Sequence, residues 1–295
     1  MSDATLLVVL HDSEPELQVL LRSVERDLPR RPELVVVDSG SSDGGAALAE
    51  RHGARVVRLP DNPGFGAANV AGLAEVRTPV TVLLNPDVEL LDDGLLRLIE
   101  DAVERDALHV PRLLNADGSV QRSAHPLPGT AAALLPALVP PRLLPRRARL
   151  AADPWRSPTP RRVGWAIAAV VAARTDTLQR LGPFDPGAFL FFEDLEMCLR
   201  GAQAGVPTVL HPEIALRHAG GHSTRAAYAG EPHDLLARRR REVVGARLGR
   251  RALALDDAAQ ALTFATRAVA HLGRGRERAQ LRALVRARRS AVTLT

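Results

Sequence analysis

The sequence predicts an α/β fold, with a mostly parallel central sheet flanked by helices and a helical extension at the C-terminal end. Three observations predict it. Short, almost uninterrupted Val/Leu runs recur through the N-terminal third, they alternate with stretches of helical periodicity, and from Glu231 onward Ala, Leu and Arg fall at helical spacing. Continuous apolar strands belong to a parallel sheet covered on both faces, because a half-exposed strand would alternate polar with apolar residues.

The elements follow in order. Thr5 to Leu10 reads as a buried strand, followed by a helix from about Ser13 to Leu28. Leu34 to Val37 is a second strand, with a helix near Gly44 to His52; Arg55 to Leu59 is a third, with a helix from about Gly66 to Val76. Val80 to Leu84 is a fourth strand, and Asp92 to Arg105 a further helix. Leu108 to Leu114 and Ser119 to Arg122 read as short strands around an Asp117-Gly118 turn. The Pro- and Arg-rich stretch from Pro126 to Pro160 is expected to be an irregular connection or surface lid. Val163 to Arg174 resumes as an apolar strand, and Glu193 to Ala204 as a helix stopped by Gly205 and Pro207. Two or three amphipathic helices are expected after Glu231.

Composition narrows the function. An apolar share of 46% over 295 residues supports a sizeable core, and all 39 basic residues are arginine, as a GC-rich genome would produce. The stretch Arg142 to Arg162 and the tail from Arg238 hold many arginines with few acids, which suits phosphates or a membrane surface. Almost no aromatics accompany that tail, which argues against nucleic-acid binding. Cys198 is the lone cysteine, so a disulfide framework and a cysteine metal site are excluded and a reducing cytoplasm fits. Met1-Ser2-Asp3-Ala4 lacks the features of a signal peptide, and no apolar run reaches spanning length. The expectation is a cytoplasmic protein, at most peripheral to the inner face of the membrane.

Ligands of parallel sheets bind at the carboxyl ends of the strands, and two acidic motifs fall there. Asp38 and Ser39 open the loop after the second strand, and Asn85-Pro86-Asp87 follows the fourth. A carboxylate at the first place suits a nucleotide base or ribose; one at the second suits Mg²⁺ or Mn²⁺, which take oxygen ligands shared with phosphates. Taken singly, Asp43 reads as readily as a helix cap, Asp87 as a turn residue and Asp38 as a loop charge. The loop from Asp61 to Asn69 is glycine-rich and enters a helix, so N–H groups near Gly66 are candidates to face a diphosphate. Asn69 stands where a dinucleotide fingerprint would have its third glycine. Glu193 and Asp194 begin a helix behind four apolar residues, a setting that raises a carboxylate's proton affinity and suits a general base. His211, His218 and His222 are candidate metal or phosphate contacts.

The order of these motifs resembles the rhamnosyltransferase-like branch of glycosyltransferase family 2, inverting enzymes of the GT-A fold. The pieces are VVVDSGSSDGG, DNPGFGAANVAG, LLNPDVEL, Gly164-Trp165, GPFDPGAFLFFEDLEMCLR and HAGGHS, spread from Leu6 to Ser223. The resemblance implies a GT-A catalytic domain over 1–225, with a nucleotide-binding half at 1–105 and an acceptor half at 106–225, followed by a helical region at 226–295. It implies that Asp38, with Asp12 nearby, contacts the donor nucleotide, that Asp87 and His218 hold Mg²⁺ or Mn²⁺ on the diphosphate beside Asn85, and that Trp165 lines the acceptor pocket. Asp194 would be the catalytic base, with Glu193 beside it. The implied donor is dTDP-rhamnose or a UDP-sugar, and the implied acceptor a glycan or lipid-linked hydroxyl. His11-Asp12 stands where the family usually has Tyr-Asn, Ser39 where it has Asn, and Ala168-Ala169 where glycine is common. A binding or scaffold protein that has lost catalysis is the alternative; a nucleotidyltransferase would ordinarily show a glycine-rich loop with Arg/Lys directly after the first strand, where this chain has His11-Asp12-Ser13-Glu14-Pro15.

Overall fold

A computed structural model describes residues 3–139, 143–182, 184–185, 191–220, 232–270 and 275–292. The parallel half of the sheet forms where the Val/Leu runs predict it. Strands β1 (Ala4–Leu10), β2 (Glu33–Ser39), β3 (Arg55–Leu59) and β4 (Val80–Leu84) lie in the order β3-β2-β1-β4, all parallel. Between them run α1 (Glu14–Asp27), α2 (Gly45–Arg51) and α3 (Phe65–Leu73). β1 is buried on both faces because it sits between two neighbours under two helix layers, and its alternate residues serve different cores. Leu6, Val8 and Leu10 pack with α1, α2 and α4 (Gly94–Glu104), while Leu7 faces α3 and the opposite layer.

The second half of the sheet is mixed. Its strands are β5 (Val88–Leu90), β6 (Leu108–Leu114), β8 (Arg161–Val163), β10 (Val170–Arg174) and β11 (Thr208–His218). The order continues from β4 through β10, β6 and β11 to β5, with β8 also on β11; β10 and β5 run antiparallel to their neighbours. β7 (Ala124–His125) and β9 (Trp165–Ala166) make a separate two-stranded ribbon. α7 (Thr175–Leu181) and α8 (Glu193–Gln203) pack on the face shared with α3.

Three expectations are corrected. The run from Val163 to Arg174 is broken: β8 ends on β11 at Val163, β9 leaves the main sheet to pair with β7, and after 167–169 β10 rejoins it beside β4. Ser119 to Arg122 forms only a single bridge, Leu114 to Val120, past the Asp117-Gly118 turn. The segment Pro126 to Pro160 holds two helices, α5 (Ala131–Leu138) and α6 (Arg146–Ala152). Its Ala/Leu runs have strong helix propensity, and Pro136 lies near the end of α5, where one lost hydrogen bond costs little.

The C-terminal extension is helical as expected. α9 (His233–Ala270) is two helices joined at Gly249, whose φ of 82° reverses the chain, and α10 (Gly275–Val292) packs along them. Arg240 and Arg241 bridge that reversal to the buried Asp256 and Asp257. Arg247 pairs with the buried Glu196 of α8, which also holds Arg200 at 2.6 Å, so the extension is fastened to the helix bearing the acid pair. Among the described residues no helix is long and apolar enough to cross a membrane.

Candidate functional site

The carboxyl ends of β1, β2 and β3 are joined into one rim. Asp38 is buried at the end of β2, and its Oδ1 accepts the Ser41 N–H at 3.0 Å. Ser39 donates its hydroxyl to Asn62 Oδ1 at 3.2 Å, and the same oxygen accepts the Gly64 N–H at 3.0 Å. Asp12 adopts a left-handed backbone, φ 47°, and reaches across to accept the N–H and the hydroxyl of Ser42 at 2.7 and 3.0 Å. Those bonds, the backbone one foremost, hold its carboxyl below the usual aspartate range. Asp43 is a cap: it accepts the Glu14 N–H that opens α1 at 2.7 Å and the Gly45 N–H that opens α2 at 3.1 Å.

The turn Asn85-Pro86-Asp87 lies between β4 and β5. Because β5 runs antiparallel to the end of β11, with Val88 opposite His218, Asp87 is delivered beside that histidine. Asp87 Oδ1 lies 3.4 Å from His218 Nε2, its Oδ2 accepts the Gly220 N–H at 2.9 Å, and its carbonyl accepts the Ala219 N–H at 3.0 Å. Burial alone would raise this carboxyl, but the His218 bond and charge and the Gly220 N–H outweigh it and hold it below the usual range. Behind His218, Nδ1 lies 3.0 Å from Gln121 Oε1. An amide oxygen only accepts, so Nδ1 carries the proton and Nε2 is turned to Asp87. Asn85 Oδ1 is buried without a hydrogen-bond partner.

The acid pair sits on a strained entry to α8. Phe191 and Phe192 are both left-handed, φ 76° and 60°, a conformation that non-glycine residues adopt at a cost and that clusters at functional sites. Asp194 Oδ1 accepts the Leu195 N–H at 2.7 Å, and the backbone of Ala168 lies close by. Both carboxyls are pushed up, first by burial, and Glu193 further by the charge of Asp194; Arg240 and Arg239 of α9 pull the other way. Glu193 Oε2 is buried without a partner. Trp165 backs this site: its ring centroid is 6.4 Å from Phe192 and 4.2 Å from the stacked ring of His125. Burial and the charge of Arg240 push His125 down to about 4, so it is neutral at physiological pH. Trp165 is itself buried and its face is covered by His125.

The loop 167–169 joins the two halves of the site. Asn85 donates its N–H to the Ala169 carbonyl at 2.9 Å, and the adjacent Ala168 lies beside Asp194. Other candidates lie apart. A Cβ on Gly66 would come within 2.7 Å of the Asp185 carbonyl, and Phe65 meets Phe184 at 5.1 Å, so this glycine has a packing reason. Asn69 is buried and donates to the Phe65 carbonyl at 2.9 Å, within its own helix. His211 bonds to His109 at 2.9 Å in the interior, away from Asp87. His222 lies outside the described residues. A shallow depression lined by Val76, Thr78, Arg174 and Gln179 sits at the opposite strand ends and shares none of these residues.

Sequence reasoning missed Gln121, His125, Arg239 and Arg240. A His-Pro pair and a tail arginine carry no motif, and only the fold brings them to the acids.

Asp87, Asn85 and His218 offer a carboxylate, an amide oxygen and an imidazole, a set that suits Mg²⁺ or Mn²⁺, and the unpartnered Asn85 Oδ1 fits such a ligand. Among the described residues no cluster of three His, Cys, Asp or Glu side chains forms, so a cation here would need further oxygens from a ligand such as a diphosphate.

Residues 5–150 match the sequence model of glycosyl transferase family 2. The N-acetylglucosaminyl-diphospho-decaprenol L-rhamnosyltransferase of Mycobacterium tuberculosis is 27% identical over 241 residues, covering 74% of this chain and 76% of that protein. A mannosyltransferase from Pyrobaculum calidifontis, solved with GDP-Man and Mn²⁺, shares the fold with a TM-score of 0.60 at 15% identity, over 98% of this chain and 86% of that one. GalNAc-T7, solved with UDP, GalNAc and Mn²⁺, gives 0.59 at 19% identity over 82% of this chain, which spans about half (48%) of that longer protein.

Proposed function

Since the chain carries a glycosyl transferase family 2 domain of the rhamnosyltransferase-like kind on a GT-A fold, we propose that it is an inverting, metal-dependent hexosyltransferase. It moves rhamnose or another hexose from a nucleotide-diphosphate sugar to an acceptor hydroxyl, in the synthesis of a cell-envelope polysaccharide or glycolipid. dTDP-rhamnose leads as donor, with UDP-sugars behind it, and a glycan or lipid-linked acceptor fits the relative's name.

In this reading Asp38, Ser39 and Asp12 form the rim that takes the base and ribose. Asp87 and His218 would hold Mg²⁺ or Mn²⁺ on the diphosphate, with the unpartnered Asn85 Oδ1 as a candidate further oxygen. A bound Mg²⁺ or Mn²⁺ neutralises charge on the departing nucleoside diphosphate. Asp194, whose proton affinity is raised by burial, accepts the acceptor's hydroxyl proton as that oxygen attacks the anomeric carbon. Attack from the face opposite the leaving group inverts that carbon. Burial and the charge of Asp194 raise the proton affinity of Glu193, whose unpartnered Oε2 is available to the acceptor. Trp165 and His125 form the wall behind the acceptor.

The observation that carries the reading is the loop 167–169, whose Ala169 carbonyl accepts the Asn85 N–H and whose Ala168 lies beside Asp194, so that a candidate place for a cation and diphosphate adjoins a candidate general base. Donor hydrolysis across dTDP- and UDP-sugars with Mg²⁺ or Mn²⁺ tests it. Asp194→Asn should lower turnover by about 10²–10⁴-fold. Absence of metal-dependent turnover in both proteins would favour a binding protein that has lost catalysis.

A further inference from the structure

Residues 118–152 contain five arginines (Arg122, Arg142, Arg146, Arg147 and Arg149) and no acidic residue. In a chain with 34 acids, that run is long enough to make one face of a single sign. The segment also carries apolar surface outward. α5 packs along α9 and holds Ala132 to Ala137 half-buried or buried, but Leu138 at its end is 60% exposed and Leu143, before α6, 68%. Arg146 and Arg147 follow at once, both exposed, and among the described residues neither has an ion-pair partner. Exposed leucines bracketed by unpaired arginines are what an interfacial segment needs: apolar side chains for the acyl boundary, guanidinium groups for headgroup phosphates.

The segment is also rooted at the site. It departs from His125 and returns at Gly164, whose N–H bonds to the His125 carbonyl at 2.9 Å. Gly164 is obligatory for that closure, since a Cβ there would lie 2.1 Å from the Leu127 nitrogen. Trp165 then stacks on His125 and approaches Phe192, the residue before Glu193. The excursion thus begins and ends at the wall beside the acid pair.

We infer that the Leu138 end of α5, Leu143 and the start of α6 form a docking surface for an anionic lipid bilayer, so that an acceptor carried in the membrane meets the site at the root of the excursion. The benefit to an acceptor rests on the proposed transfer reaction; the docking itself does not. A second copy of this chain is disfavoured as the occupant, because it would set the same unpaired arginines against each other.

The test is co-sedimentation of the full chain with vesicles of equimolar phosphatidylglycerol and phosphatidylcholine, and with phosphatidylcholine alone, at low and high salt. The parent protein should bind the anionic vesicles and release in high salt. Leu138→Glu/Leu143→Glu and Arg146→Glu/Arg147→Glu should each weaken binding by about tenfold or more, and because all four side chains are exposed both variants should keep the parent's melting temperature. Failure of the parent to bind, equal binding to phosphatidylcholine alone, or undiminished binding by both variants overturns the inference. Metal-dependent hydrolysis of dTDP-rhamnose, measured on the same proteins without vesicles, reports on the transferase reading independently: hydrolysis without vesicle binding removes only the docking surface, and binding without hydrolysis removes only the enzyme.

Discussion

Gln121 holds His218 by a 3.0 Å bond to Nδ1, across a separation of 97 residues, and so aims Nε2 at Asp87. A side chain that fixes the tautomer of a metal-binding histidine typically changes metal affinity by 10–100-fold when removed. Gln121→Ala should therefore weaken Mn²⁺-dependent UDP binding by about tenfold in calorimetric titration, while metal-free binding changes little. Gln121→Glu, which keeps an acceptor in place, should restore most of it.

Asp87→Asn should abolish the Mn²⁺ dependence of UDP binding, because an amide is a poor substitute for the one carboxylate in the set. The fold should survive, since the backbone carbonyl of Asp87 still takes the Ala219 N–H. Equal Mn²⁺ enhancement in parent and variant would remove Asp87 from the cation site.

Burial raises both Glu193 and Asp194, and the sign of the pH effect follows. The folded protein binds more protons than the unfolded chain across the interval between the ordinary carboxylate range and the raised values, so stability falls as pH rises through it. Glu193→Gln should melt above the parent at pH 8, by on the order of 2 kcal/mol in stability, and level with it near pH 4. Donor turnover should show the opposite trend on its acid limb, rising as Asp194 loses its proton. A flat stability difference between pH 4 and 8 would contradict the assignment.

Glu196 is buried between Arg200 and Arg247 and ties α8 to α9. Glu196→Ala leaves two guanidinium groups facing each other, a loss of about 2 kcal/mol for a pair that is not fully sealed from water. Urea denaturation should report it, and limited proteolysis should release the C-terminal helices more readily than in the parent.

Gly164→Ala should destabilise by about 1–3 kcal/mol, because the added methyl group meets the backbone of Pro126 and Leu127 rather than a side chain that can move. The loss should appear as a lower melting temperature in calorimetry.

The parallel half of the sheet was legible because β1, β2 and β4 are sealed on both faces and show it as unbroken Val/Leu. β11 was not: Pro212 and Glu213 interrupt it at the register shift between His211 and Ala215, and its alternating burial does not stand out beside the Val runs. The pairing of Asp87 with His218 followed from motif order, but the partners that tune the site did not. Gln121 lies in a stretch that reads as strand and bends away to reach His218, and Arg240 comes from a helix whose arginines look alike in sequence. Gly66 and Asn69 carry a second reading that the motif could not separate, because a glycine-rich helix start is also what close packing demands, and Phe184 and Asp185 supply that packing.

The excursion between His125 and Gly164 is fastened at its base by the Gly164 N–H on the His125 carbonyl, along its return by β8 on β11, and along α5 by the C-terminal helices. Only its outer part, at the end of α5 and the start of α6, is free to lengthen, shorten or change composition at small entropic expense and without moving the carboxylates. If the chain is a transferase, variation there can alter what approaches the site while leaving the acid pair as it is.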